Sequence, residues 1–153
     1  MLTPRVKLDK QNPDVYKRLV AVSLGVAEAA AEAGLDRRIV ELVNLRCSQI
    51  NGCAFCLSLH HADAIKAGAT EQQIAVLPAW REAPSIYDDQ TKAALDLAEA
   101  VTELPSHEDA NCAYERAADI LDAAQISAVT WAAITMNAFN RVSIMSAHNV
   151  RPR

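Results

Sequence analysis

The stretch ELVNLRCSQINGCAFCLSLHH, Glu41 to His61, holds three of the chain's four cysteines, two of its four histidines and a single acid among aliphatic neighbours. Asp36 caps a helix expected from Arg37 to about Ile50. That helix is apolar at Ile39, Val40, Leu42, Val43, Leu45 and Ile50. Apolar residues nearly all round mean a buried helix, with Glu41, Asn44 and Ser48 as a polar stripe inside it. Asn51-Gly52 is a turn signal. No Pro or Gly interrupts residues 53–67, so a second helix is expected from Cys53 to Ala67, with Gly68 as its C-cap.

This places the Cys-x-x-Cys pair, Cys53 and Cys56, in the first turn of the second helix, with His60 one turn further on. Residues three and four apart on a helix are neighbours, with Cβ atoms about 5–6 Å apart, so the three form one ladder. A disulfide wants Cβ atoms about 3.8 Å apart, and the first turn must tighten slightly to close one. A bond of that kind close to the surface is easily reduced. The helix N-terminus also stabilises a thiolate. His60 is nearer to Cys56 than to Cys53, which favours Cys56 as the activated thiol, while His61 points about 100° round the helix as a bystander or a subunit contact.

Each of these residues also has a plainer reading. The cysteine pair could be a zinc knuckle completed by Cys47, His60 or His61, but structural zinc sites commonly draw a second pair of ligands from a separate arm, and no such arm is present. In an intracellular helical protein a lone Cys-x-x-Cys reads more readily as redox than as metal. His60 could be an ordinary helix-face histidine. Glu41 could be a surface partner of Arg37 at i,i+4. Its aliphatic flanks argue instead for a desolvated carboxylate with a raised pKa, able to pass protons near neutral pH. Cys47 reads as a packing residue, and Cys112, on an Ala-rich helix, as core.

Glu41, Cys53 twelve positions on, Cys56 fifteen on and His60 nineteen on resemble the active-site signature of the AhpD-like alkylhydroperoxidases of the carboxymuconolactone decarboxylase superfamily. The likeness extends to the two-helix frame and to the late Asn-x-x-Asn-Arg (Asn137, Asn140, Arg141). It implies a compact all-α, AhpD-like fold and a thiol-dependent peroxidase in which Glu41, His60, Cys53 and Cys56 share a proton relay. It also implies small organic hydroperoxides as substrates, no bound cofactor or metal, a lipoyl-type dithiol as reductant, and a trimeric or hexameric homo-oligomer. Some members carry a histidine between the two cysteines; here the residues are Ala54 and Phe55, and the relay is shorter. Members that process lactones or decarboxylate typically lack the cysteine pair. A metal-binding or redox-sensing module without catalysis is the remaining alternative.

The rest of the chain fits this frame. Residues 1–11 read as an extended arm. Asn12-Pro13-Asp14 opens a helix to about Ala33, with Val15, Leu19, Val22 and Val26 on one side and Lys17, Arg18 and Glu28 on the other. Thr70-x-x-Gln73 is a capping box for a short helix ended by Pro78. Residues 78–88 are irregular, and their Trp80 and Tyr87 fit a substrate entrance or an oligomer contact. Further helices are expected from Asp88 or Asp89 to Pro105, from Glu108 to Leu121, and from Ala123 to Ala147. That makes about six to seven helices and no strand. Asn137, Asn140 and Arg141 read as bridges between buried helix ends, or as a scaffold for the Glu41 region.

At 153 residues the chain is expected to be one domain, residues 1–153. It is 51% hydrophobic but only 5% aromatic, which favours closely packed helices. A net charge of −4 gives no electrostatic case for nucleic acid or an anionic membrane. No apolar run approaches the ~20 residues of a membrane span and the N-terminus lacks an apolar leader. The expected compartment is the cytoplasm, where a Cys-x-x-Cys means catalysis or metal.

Overall fold

The computed structural model describes residues 3–152; Met1, Leu2 and Arg153, the ends of the expected domain, lie outside the described residues. Those described form eight α-helices and no strand: α1 (Leu8–Gln11), α2 (Pro13–Glu32), α3 (Arg37–Asn51), α4 (Ala54–Lys66), α5 (Glu71–Val76), α6 (Asp89–Glu103), α7 (His107–Ala118) and α8 (Ala123–Met145). A 3-10 segment, Leu77–Glu82, follows α5.

Helix α3 is the axis. It packs against α4, α6 and α8, and Ile39 through Leu45, Cys47 and Ser48 are all buried. Helix boundaries follow local capping chemistry. Asp36 accepts from Arg38 N–H at 2.8 Å, Asp88 from Thr91 N–H at 2.7 Å, and reciprocal capping boxes open α5 (Thr70, Gln73) and α8 (Asp122, Gln125). Each cap satisfies backbone donors that the first turn leaves without a partner. Gly52 ends α3 in the left-handed region, φ 68°, where a side chain would be strained.

Several expectations are corrected. The arm was expected to be extended, yet residues 8–11 form a helical turn. Its hold is tertiary: the Leu8 N–H donates to Ser146 Oγ at 3.0 Å, and the Lys7 ammonium donates to the carbonyls of Ser146 and Ala147 at the end of α8. Asn12 makes no side-chain cap, although Pro13 does occupy the first position of α2. Val15 and Val22 of the expected apolar face of α2 are exposed, as is Leu24, and only Ala30 is fully buried. Helix α7 stops at Ala118 rather than Leu121, although Leu121 is itself buried.

Trp80 and Tyr87 sit at neither an entrance nor an exposed contact. Both are buried; Trp80 Nε1–H donates to Glu99 at 2.8 Å and the Tyr87 hydroxyl to the Gln73 carbonyl at 2.5 Å. Glu99 also holds Arg46 and Arg81, and Asp96 holds Arg81 and Arg116. Burial alone pushes the Glu99 carboxyl up, but these cations and the Trp80 N–H hold it below the usual range. No helix among the described residues is long and apolar enough to cross a membrane.

Candidate active site

Cys53 is the N-cap of α4 rather than a member of its first turn, and its Sγ accepts from the Cys56 N–H at 3.3 Å. The two sulfurs are joined as a disulfide, with Cα atoms 5.4 Å apart. The expectation of a pair close to the surface is corrected, because Cys53 is 1% and Cys56 3% exposed. Beside the pair lies a cavity of about 330 Å³. Cys56 and His60 line it and Cys53 does not. Its other walls are largely apolar and include Tyr16 and Val20 of α2 and Met136 and Phe139 of α8.

Behind the cavity, the His60 Nδ1 lies 2.7 Å from Glu41 Oε2. Glu41 is fully buried, and Asn44 Nδ2 donates to the same oxygen at 3.3 Å. The Arg37 guanidinium pairs with Oε1, so the sequence alternative of an Arg37 pair also holds, as part of the buried cluster. Burial pushes the Glu41 carboxyl up. The hydrogen bond and charge of His60, the charge of Arg37 and the Asn44 amide outweigh it, and the carboxyl lies below its ordinary range. The expected raised pKa is therefore reversed: Glu41 is a fixed anion that orients His60. With Nδ1 committed to the carboxylate, Nε2 is the nitrogen left for exchange with a thiol or substrate.

The end of α3 that leads into Cys53 is pinned by amides. Asn51 Nδ2 donates to Asn137 Oδ1 (2.8 Å) and Asn140 Oδ1 (2.9 Å), and Asn140 Nδ2 donates to Ser48 Oγ at 3.0 Å. The Ser48 carbonyl accepts the Cys53 N–H. Arg141 donates to Asn137. Asn137 and Asn140 thus tie the end of α3 to α8, whereas the bonds of exposed Arg141 stay within α8.

Cys47 is buried, accepts from Thr102 at 3.2 Å, and has its thiol pushed up by burial to about 11. Cys112, expected in the core, is exposed; the buried positions of α7 are Ala113 and Ala117. His61 lies 3.4 Å from Glu71. Asp63, three residues after His60, was not singled out from the sequence. One ligand atom each of Glu41, His60 and Asp63 lie within 4.8 Å of one another. A divalent ion held there would have to displace the partners Glu41 already has. The cavity walls from α2 and α8 carried no local sequence signal, because they come from distant segments.

The family model described as the carboxymuconolactone decarboxylase family matches residues 13–103. The uncharacterized protein YdfG of Bacillus subtilis (strain 168) is 36% identical over 123 residues, covering 80% of this chain and 83% of that protein. The crystal structure of an Agrobacterium tumefaciens protein of unknown function, provisionally described as the antioxidant defence protein AhpD, superposes with a TM-score of 0.87. It is 29% identical and covers 99% of this chain and all of that one. Helical architecture, signature and alignment agree, and the chain belongs to the carboxymuconolactone decarboxylase family as a protein of AhpD-like fold.

Proposed function

We propose that the protein is a thiol-dependent peroxidase that reduces organic hydroperoxides through Cys53 and Cys56. The observation that carries the reading is that Cys56, alone of the pair, lines an apolar cavity beside an imidazole seated on a buried carboxylate. In the reduced enzyme the Cys56 thiolate attacks the terminal peroxide oxygen. The O–O bond breaks, its electron pair leaves with the alkoxide, and His60 supplies the proton that makes the alcohol. Cys56 is left as a sulfenic acid. The Cys53 thiolate then attacks the Cys56 sulfur and expels hydroxide, which leaves as water. The net change is one hydroperoxide and two thiols to one alcohol, one water and the disulfide. An external dithiol of the lipoyl type reopens it through a mixed disulfide.

Glu41 holds His60 in orientation and stabilises the imidazolium that forms when His60 takes a proton from Cys56. No bound cofactor enters the cycle. A dithiol cycle of this kind belongs in a reducing compartment, and we place the protein in the cytoplasm as a homo-oligomer, trimeric or hexameric. The test is peroxide consumption with a panel of dithiols, beside a Cys56→Ser control. Turnover that depends on Cys56 is expected. Turnover unchanged by the substitution, or one zinc held tightly per protomer after purification under reducing conditions, refutes the reading.

A further inference from the structure

Thr135 lies in the middle of α8, is 5% exposed, and lines the cavity that reaches Cys56. Its Oγ1 is buried and has no hydrogen-bond partner among the described residues. A threonine inside a helix ordinarily satisfies its hydroxyl on a backbone carbonyl of the preceding turn. A buried hydroxyl left unpaired costs stability, so its retention calls for an explanation.

Most of the other polar side chains that line the cavity have a protein partner, the Tyr16 hydroxyl at its half-buried edge and the His60 Nε2 apart. The Ser23 hydroxyl donates to the Val20 carbonyl, the Asn44 amide to Glu41, and Ser143 meets His148. Arg37 and the His60 Nδ1 are both taken by Glu41. Thr135 Oγ1 is thus a buried polar atom with no partner among the described residues, on the same largely apolar cavity as Cys56. Mostly apolar pockets use a few placed polar groups of this kind to orient a ligand.

We infer that the Thr135 hydroxyl is a substrate-binding group that hydrogen-bonds an oxygen of the hydroperoxide and of its alcohol product while the hydrocarbon part packs against the apolar walls. The inference rests on the peroxidase reading for the identity of the ligand, but the contact itself is an alcohol or peroxide oxygen on one buried hydroxyl. It orients the O–O bond toward Cys56 and requires no proton of its own to be transferred. A hydroxyl donor also strengthens its bond as charge develops on the departing oxygen.

The experiment compares wild type with Thr135→Val, which keeps the branched shape, and Thr135→Ser, which keeps the hydroxyl. Three quantities are read: urea stability, the rate at which cumene hydroperoxide oxidises the pre-reduced enzyme, and calorimetric binding of cumyl alcohol against cumene. The Val variant is expected to be at least as stable as wild type, since it removes an unpaired polar group. Its oxidation rate should fall about tenfold, the size of one hydrogen bond to substrate, and its preference for the alcohol over the hydrocarbon should vanish. Ser should restore both to within about a few-fold.

A Val variant that is markedly less stable overturns the inference, because the hydroxyl is then bonded within the protein. So does a Val variant that keeps the wild-type rate and the preference for alcohol. If no hydroperoxide oxidises the wild type but the preference is still lost in the Val variant, the ligand contact stands and the peroxidase reading falls.

Discussion

Replacing Glu41 by Gln separates the two physical accounts of this carboxylate. If burial dominated, the charged form would be the unstable one, and the neutral variant would be more stable than wild type at pH 7. The geometry gives the opposite sign. Glu41 accepts from His60 at 2.7 Å and from Asn44 at 3.3 Å, and pairs with Arg37, whose side chain is 57% exposed. Glutamine can keep an oxygen on His60 but loses the charge assistance, which is roughly half the strength of such a bond, or about 1 kcal/mol. The exposed Arg37 returns to water and adds only about 0–1 kcal/mol.

The expected loss at neutral pH is therefore about 1–2 kcal/mol, or a fall of roughly 2–8 °C in Tm for a chain of this size. A carboxyl whose folded pKa is depressed contributes stability that is fully present above its unfolded value of about 4.3. That contribution disappears as the pH falls through the lower folded value. Urea unfolding from pH 7 down to pH 3 should show the two proteins converging in acid. The oxidation rate of the pre-reduced variant should fall about 100-fold, the lower end of general acid–base effects. A glutamine variant more stable than wild type at pH 7, a gap that widens in acid, or a wild-type rate would refute the reasoning.

The two thiols should divide their labour. Cys53→Ser should react once with peroxide and leave a sulfenic acid on Cys56 that a trapping reagent labels; a label found only on Cys53, in the Cys56→Ser protein, reverses the assignment. Under non-reducing conditions the native protein should be alkylated at exposed Cys112 and not at Cys47, whose thiol is buried and pushed up to about 11; mass spectrometry that places the adduct on Cys47 contradicts the packing. Light scattering should give a mass several times the 16.6 kDa protomer, through apolar residues left outside on α8 such as Trp131, Ile134 and Met145. A monomer at micromolar concentration would rule out the oligomer.

What could be read from the sequence was whatever depends on near neighbours. Asp36, Thr70–Gln73 and Asp122–Gln125 mark helix starts because a cap bonds within three residues of itself. Helix α3 was legible because Ile39, Val40, Leu42, Val43 and Leu45 cluster between the Asp36 cap and the Asn51-Gly52 turn signal. Periodicity failed where small or apolar residues fall on the open side of a helix as well as on the packed side. On α7 the packed face is Ala110, Ala113 and Ala117, and Cys112, one position off it, is exposed although its residue type suggests burial. On α2 the valines fall on both the packed and the open side. The sign of the Glu41 shift depended on how His60, Arg37 and Asn44 together weigh against burial, a balance that a pattern of spacing does not contain. Trp80 and Tyr87 were misplaced because their partners, Glu99 and Gln73, lie fourteen or more residues away.

Cys53 is both one half of the disulfide and the cap of α4. The Cys56 N–H that its sulfur accepts becomes a charge-assisted bond once the disulfide opens and Cys53 ionises. The start of the helix therefore stabilises the reduced, ionised form. By thermodynamic reciprocity, ionised Cys53 stabilises the start of the helix by the same amount. On the peroxidase reading, the potential of the Cys53–Cys56 pair is in that sense a property of a whole secondary-structure element. A change that frays or recaps α4 will shift it even where no atom around the peroxide has moved.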